Sequence, residues 1–505
     1  MFKDHFKKIE KNRKKAHRLS MEEFKDDMRS ALSNSSDLLF RDVIHHQKTI
    51  LLVYLENSIK EDFLSEEILK PLNQLYENSI SIKDVYQSLN IGKLSLTNQL
   101  EEISQGLING YLYIFIEGED CGILADIGKK ESRGFEKAET ESIVYGPKIS
   151  FTESIAMNVN IVRNYLPDEK LAMEEIMVGS RVKHKVSLVY ISDVADEENV
   201  ATFRQRITEL DIDSVIDASI LAQLIEDNSF TLFPQLMSTE LPDRFCMSLL
   251  YGKVGVLVDR SPISLIGPTS FFSFFETTED VYVRWNVGTF LRMLRLASIV
   301  LSVLLTPAYV AVLTYHYEVI PSALLTSLGE SRSNVPFPPV FEALLLEFII
   351  ELLREAGARL PTKVGQTMGI VGGIVIGQAA VQAGFTSNIL IIIIAISALG
   401  SFTTPSYLMG STLRILRFPI ILAAGLYGGV GIMFSFCLIL IHLLKQTSMG
   451  RPYLNPVYPL KLGDLKYSLI RAPIFFYRNR PDSNMTRDPI RFSKQDALQK
   501  KDLDE

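Results

Sequence analysis

Three glutamates, Glu347, Glu351 and Glu355, recur every four residues within residues 339–355 (PVFEALLLEFIIELLRE), a stretch otherwise apolar enough to enter a membrane. That spacing puts the three carboxylates on one face of a helix. Ionisable groups at membrane depth are costly, and they mark an aqueous path or a buried pairing partner. The competing arrangement is an amphipathic helix in the interface, with its carboxylates in water. A span exposed to lipid all round is excluded.

A second pattern lies just downstream, in Gly365–Ala383 (GQTMGIVGGIVIGQAAVQA). Gly369, Gly373 and Gly377 recur at i, i+4 and i+8, a small-residue face against which another helix packs closely. Thr367, Val371, Val375, Gln378 and Gln382 form a second stripe, of mixed polarity. Glutamine in a span seeks a wet cavity or an interhelical hydrogen bond. The expectation is that the glycines pack helix on helix while the other stripe faces a pore, with the valines as an apolar constriction. Simple packing on both faces is the alternative.

Catalytic and metal chemistry find no pattern to rest on. The phosphate-binding loop GxxxxGK[ST] and a GxGxxG following a strand are both missing, and no nucleophile–base pair is visible from spacing. His45 and His46 are adjacent, so they point to different sides of an element and lack the spacing that converges on zinc. Cys121, Cys246 and Cys437 lie far apart without a CxxC pair, which disfavours both a disulfide framework and a structural zinc site. The formal net charge of -7 gives no support to nucleic-acid binding. The expectation is a non-enzyme without cofactor or metal.

The elements that must position these residues divide the 505-residue chain unevenly. The first eighteen residues are rich in Lys and Arg, and no apolar run follows them, so export of the region behind them is not expected. Tyr111–Ile116 and Gly122–Ile127 flank an acidic turn, a hairpin signature. Phe151–Leu166 carries a helical stripe, with Thr152 or Pro147 as its start and Pro167 as its stop. Val186–Ile191 reads as a buried strand followed by a helix over Glu197–Leu210, and Val254–Val258 with Ser264–Ile266 as a strand pair. The organisation expected is a basic extension (1–36), a soluble subdomain (37–178), a second α/β subdomain (179–285), a transmembrane domain (286–445) and a polar tail (446–505).

A crossing helix needs about 20 apolar residues. Leu296–Tyr315 meets that, with a kink expected at Pro307, and Gly365–Ala383, Asn388–Phe402 and Phe418–Leu444 are expected as further spans. Arg284, Arg292 and Arg295 before the first span, and Arg451, Lys461, Lys466 and Arg471 after the last, put both ends inside. Both ends inside demands an even number of crossings, whereas five apolar segments are visible. Treating the glutamate segment as interfacial leaves four, but then Arg414 and Arg417 fall outside, against the charge rule. The fold class expected is an α/β soluble N-terminal region in two subdomains, followed by an α-helical transmembrane domain of four to six membrane segments.

Several stretches together resemble the A subunit of GerA-type nutrient germinant receptors of endospore-forming bacteria. They are Phe233-Pro234-Gln235 leading to Thr239–Asp243, Ser261-Pro262, Arg292 and Arg295, Val335–Pro338, Glu351–Pro361 (ELLREAGARLP), Gly369–Val381 (GIVGGIVIGQAAV) and Tyr453–Pro456 with Pro459. The family usually has Arg where Leu241 stands. The resemblance implies a component of the inner spore membrane with soluble regions on the core side. Its partners would be a permease-like B subunit that binds nutrient, a lipoprotein C subunit, further copies of itself and membrane lipid. It implies an oligomeric channel for monovalent cations, with the segment bearing Glu347, Glu351, Glu355, Gly357 and Pro361 as gating element. The paralogous stage V sporulation protein AF, an accessory channel amplifying germination, is similar throughout. A secondary transporter would show two matching halves, and no second copy of the glycine-rich segment is found. A scaffold that positions the B subunit would conduct no ions.

Overall fold

The computed structural model describes residues 21–45, 48–75, 81–129, 138, 141, 145–360 and 372–492. They form two compact units. The first takes in the described residues up to Ser229, with Leu236–Pro268 and those from Tyr477 onward; the second comprises Phe230–Gln235 and Thr269–Phe476.

In the first unit, strands β1 (Leu38–His45), β2 (Lys48–Leu55), β3 (Leu94–Thr97), β4 (Tyr111–Ile116) and β5 (Gly122–Asp126) make an antiparallel sheet in the order β1-β2-β4-β5-β3. The run Ile50–Leu55 has no polar break because β2 is covered on both faces. Ile50 and Leu52 face a layer containing Leu64, Ile68 and Val85. Leu51 and Val53 face helices α1 (Met21–Ala31) and α2 (Leu100–Ile108) through Met28 and Leu107. The expected hairpin is present, with Tyr113 paired to Leu124.

A second antiparallel sheet runs β6-β7-β9-β10-β8, from β6 (Leu171–Val178), β7 (His184–Ile191), β8 (Met237–Thr239), β9 (Val254–Val258) and β10 (Ser264–Gly267). Helices α3 (Ile155–Tyr165), α4 (Glu197–Thr208) and α5 (Pro242–Leu250) belong to this half of the unit. Ser154, rather than Thr152 or Pro147, starts α3: its hydroxyl accepts from the Met157 amide at 3.4 Å. That accords with the preference of helix N-termini for a short hydroxyl. Asp196 caps α4 in the same way. Gly255 in β9 leaves room for Phe245 of α5, whose ring would lie 2.2 Å from a Cβ there. The second sheet begins at Leu171, a few residues before the boundary read from sequence at 178/179.

The second unit is built on α6 (Trp285–Tyr315), α7 (Pro339–Arg359), α8 (Gly377–Gln382), α9 (Asn388–Phe402) and α10 (Tyr407–Lys445). A wider, π-type turn over Gly372–Ile376 leads into α8. Two of these helices, α6 and α10, are long and apolar enough to cross a membrane; α9 is shorter and apolar. Helix α6 starts eleven residues before Leu296, where the apolar run begins, because the buried Arg292 and the partly buried Arg295 on the added turns pair with Asp280. Tyr309, Val310, Ala343, Leu346, Leu390 and Ile421 share a core contributed by α6, α7, α9 and α10. The segment read as a polar tail also contributes: Tyr453 is fully buried and its hydroxyl donates to the Pro234 carbonyl at 2.7 Å.

The expected single span Phe418–Leu444 is not one helix. Gly428, at φ 62° and ψ -140°, breaks α10. The two arms fold back on each other: the Thr412 hydroxyl donates to the Leu232 carbonyl, and Thr231 Oγ1 lies 2.7 Å from His442 Nε2. An unbroken helix would hold positions 412 and 442 about 45 Å apart. A positive φ admits glycine readily, and a Cβ at Gly431 would lie 2.0 Å from the Ala423 carbonyl oxygen.

Candidate functional site

The carboxylate ladder of α7 meets a set of arginines. Glu342, fully buried, lies 2.7 Å from Arg332 through Oε1, while its Oε2 accepts from the Ser387 amide at 3.3 Å. Glu347 accepts from Arg417 Nη1 at 2.5 Å and from the Thr306 hydroxyl at 2.9 Å, with both charged side chains 4% exposed. Glu351, half exposed, takes Arg414 Nε at 3.2 Å and lies 3.7 Å from Arg354. Glu355 pairs only with Arg359 one turn on, at the surface. Of the two options for ionisable groups at depth, pairing is what Glu342 and Glu347 display.

The Glu347–Arg417 pair is where four helices meet. Arg417 Nη2 donates to Ser302 Oγ of α6 at 2.8 Å, and the Ser302 carbonyl accepts from Ser397 of α9 at 2.7 Å. Moving two charges out of water costs several kcal/mol per ion, regained only when hydrogen bonds satisfy the remaining donors and acceptors. Here two hydroxyls do part of this, yet Arg417 Nε has no hydrogen-bond partner among the described residues. The arrangement can hold α7 against α6 and α10, and one donor stands free to take another acceptor.

A second charged cluster anchors the start of α6. Asp280, buried, accepts from Arg292 Nε at 3.2 Å and from Arg295 Nη1 at 3.1 Å. Burial raises the Asp280 pKa, but the hydrogen bond and charge of Arg295 and the charge of Arg292 outweigh it and hold the carboxyl below its ordinary 3.8. In the first unit, a cavity of about 220 Å³ is lined by Asp37, Glu56, Glu61, Glu175 and Lys185 among others. Three of these are already engaged, Lys185 and Glu175 with each other at 3.1 Å and Asp37 with Arg163.

Of the second pattern, Pro361, Thr367, Gly369 and Val371 lie outside the described residues, as does His46. Val375 is 56% exposed, and Gln378 and Gln382 are exposed too. Among the described residues, a Cβ at Gly373 or Gly357 would meet nothing within 4 Å, and one at Gly377 only Ile391 Cδ1 at 4.0 Å. The charge ladder and the glycine–glutamine stripe are therefore not brought together by contacts of their described side chains. The partners Ser302, Thr306 and Arg417 were missed as a set. Their only sequence signal is two arginines, Arg414 and Arg417, next to an apolar run, and a pairing between residues 70 apart leaves no local spacing to read. Among the described residues, no group of His, Cys, Asp and Glu could hold a metal ion.

An apolar multi-helix unit with two helices long enough to cross a membrane, on the same chain as a two-sheet α/β unit, is consistent with a membrane protein. The chain belongs to the GerA family: residues 26–483 match the Bacillus/Clostridium GerA spore germination protein. It is 43% identical over 478 residues to spore germination protein GerQA of Bacillus cereus, covering 94% of this chain and 95% of that protein. With spore germination protein KA of Bacillus subtilis (strain 168) it shares 34% identity over 474 residues, 93% of this chain and 87% of the other. The N-terminal domain of the A subunit of the Bacillus megaterium spore germinant receptor GerK3 aligns with 51% of this chain and 99% of that domain, at 24% identity and a TM-score of 0.40.

Proposed function

We propose that this chain is the A subunit of a nutrient germinant receptor and forms an oligomeric ion channel in the inner spore membrane. It releases monovalent cations when a permease-like B subunit senses nutrient, in a complex that also contains a lipoprotein C subunit. The observation that carries the channel reading is the exposure of Val375, Gln378 and Gln382 beside apolar helices. Glutamines facing hydrocarbon would forfeit their hydrogen bonds. An assembly of several copies around that stripe gives them water and gives Gly373 and Gly377 a neighbouring helix.

Gating falls to α7. Nutrient sensing by the B subunit shifts a closed–open equilibrium, and about 5.5 kcal/mol of differential affinity takes such an equilibrium from 1:99 to 99:1. The Glu347–Arg417 and Glu351–Arg414 pairs tie α7 to α10, so their rearrangement is the step that frees the neighbouring Gly-rich segment. The test is cation flux from proteoliposomes containing the full chain. Val375→Ala raises basal flux if the valine constricts the path; unchanged flux in a correctly assembled oligomer removes the valine gate. Spores lacking only this chain lose cation release to one nutrient and keep it to others. Uniform slowing for every nutrient would favour an accessory channel instead.

A further inference from the structure

We infer that the last two membrane crossings of the second unit are formed by a tight hairpin at Gly428, and that both ends of the unit emerge on the cytoplasmic side. Side-chain contacts fix which ends of the helices lie together. At one end of the bundle, Tyr315 donates to the Leu426 carbonyl at 2.8 Å, the Gly429 amide donates to His316 Nε2 at 3.1 Å, and a Cβ at Gly425 would strike Val340. Gly384 approaches the Asn334 carbonyl at the same end, where Phe337 and Phe385 stack at 5.9 Å. At the other end, Arg354 donates to Ser401 at 3.0 Å, and Thr412 and His442 reach the adjacent residues Leu232 and Thr231.

The direction of each segment follows. Helix α6 runs from the second end to the first, because Ser302 meets Arg417 and Tyr315 meets Leu426. Helix α7 returns, since Val340 lies by Gly425 and Glu351 by Arg414. Gly384 lies again at the first end, beside Asn334. Helix α9 runs antiparallel to α6, with Ser387 by Tyr309 and Ser397 by Ser302. The arms of α10, residues 407–427 and 429–445, are about 31 Å and 25 Å long at 1.5 Å per residue, each within the range of a crossing helix. A shallow re-entrant loop would not carry its tip to the end of α6, where Gly428 packs on Tyr315 and His316.

Charge orients the bundle. The connections at the first end, residues 316–338, 383–387 and the Gly428 turn, hold one arginine, Arg332, and no lysine. The second end holds Arg284, Arg292, Arg295, Arg354, Arg359, Arg414, Lys445 and Arg451. Positive residues stay on the cytoplasmic side, so the second end is the inner one. The hairpin also removes the conflict over these arginines: Arg414 lies toward the inner end, and Arg417, about 17 Å of helix from the turn, lies near mid-membrane.

Single-cysteine labelling of the full chain tests this. Cys437→Ala removes the exposed native thiol, leaving the buried Cys121 and Cys246. Tyr427→Cys, Tyr407→Cys and Leu462→Cys, all at exposed positions, are added one at a time. A membrane-impermeant maleimide is applied to intact cells and again after permeabilisation, with each variant labelled in denaturant to score its amount. Tyr427→Cys, or Val430→Cys where the former does not accumulate, labels in intact cells; the other two label only after permeabilisation. Opposite sides for Tyr407→Cys and Leu462→Cys would mean one straight crossing. All three labelling only after permeabilisation would mean a re-entrant hairpin. Either result overturns the inference.

Discussion

Each unit buries an arginine–carboxylate pair, and the two are built differently. In the first unit, Arg163 of α3 uses its whole fork. Nε and Nη2 bind the two Asp37 oxygens at 3.1 and 2.9 Å, Nη1 donates to the Leu171 carbonyl at 3.0 Å, and Nη2 also reaches Ser35 at 2.7 Å. Asp37 takes a further hydrogen bond from Ser35 at 2.6 Å. These contacts clamp α3 to the starts of β1 and β6, and so one sheet to the other. In the second unit Arg417 binds Glu347 through one nitrogen, Ser302 through another, and leaves Nε without a hydrogen-bond partner. A bidentate, satisfied pair specifies one geometry, whereas a monodentate pair with a spare donor can exchange partners at smaller cost. The first pair is a staple; the second has the make-up of a latch.

The largest expected effect is on the staple. Arg163→Ala leaves Asp37 buried without its cation, a loss of about 3–5 kcal/mol from a domain stability of roughly 5–15 kcal/mol. The buried Cys246 thiol reports on it: burial and nearby Asp243 push its pKa up to about 12, so it reacts slowly in the folded unit. At about 1.4 kcal/mol per factor of ten, its modification should speed up at least 100-fold. A change under tenfold would show that the clamp is not what holds the unit together.

The latch should respond through function more than through folding. Arg417→Ala and Glu347→Ala each raise basal cation leak, and the exchange Glu347→Arg with Arg417→Glu recovers part of the closed state. A double-mutant cycle on leak rate should give a coupling of about 1–3 kcal/mol, or roughly 5–150-fold. Additive effects within a factor of two would mean that the two side chains do not act as a pair.

Legibility in the sequence divides along the same line as the two units. In the first unit β4 and β5 were readable because the turn between them carries its own acidic signature, and β7 because Val186–Ile191 is a short apolar run, both local signals, whereas β2 (Lys48–Leu55) was not read. Residue 428 shows why the second unit was harder: Gly425, Gly428, Gly429 and Gly431 sit in an apolar run whose hydropathy is the same for one long helix or two short ones. Only the φ of 62° at Gly428 and the contacts of Thr412 and His442 separate the two. The face of Glu347 and Glu351 was legible from spacing, but its partners were not, because Arg417 and Arg414 come from a helix 60 to 70 residues away.

Asp280 sharpens the comparison through pH. Its folded pKa is depressed by Arg295 and Arg292 despite burial. The stability it supplies is therefore fully present above the unfolded value of about 3.9 and drains as pH falls through the folded value. Asp280→Asn should lower the thermal midpoint of the full chain at pH 7 and pH 5, with the gap to wild type shrinking toward pH 3. A gap that stays constant or widens in acid would mean that the carboxylate charge is not what Arg292 and Arg295 require.

The smallest effect should come from a pair with short distances but little burial. Arg204 of α4 binds Glu174 through two nitrogens, both at 2.6 Å, and its side chain is 44% exposed. The Arg204 contacts lower the Glu174 pKa against the opposing effect of burial. Solvent screens such a pair, so Arg204→Ala should cost only about 0.2–1 kcal/mol. In the Cys246 assay that is less than a tenfold change, beside at least 100-fold for Arg163→Ala. The two arginines make equally direct fork contacts within one unit, and they differ in burial and in what is left uncompensated when the cation goes. Equal effects would mean that fork geometry alone sets the strength of these pairs, and the monodentate Arg417 would then have to be judged by its single contact rather than by its place in the membrane.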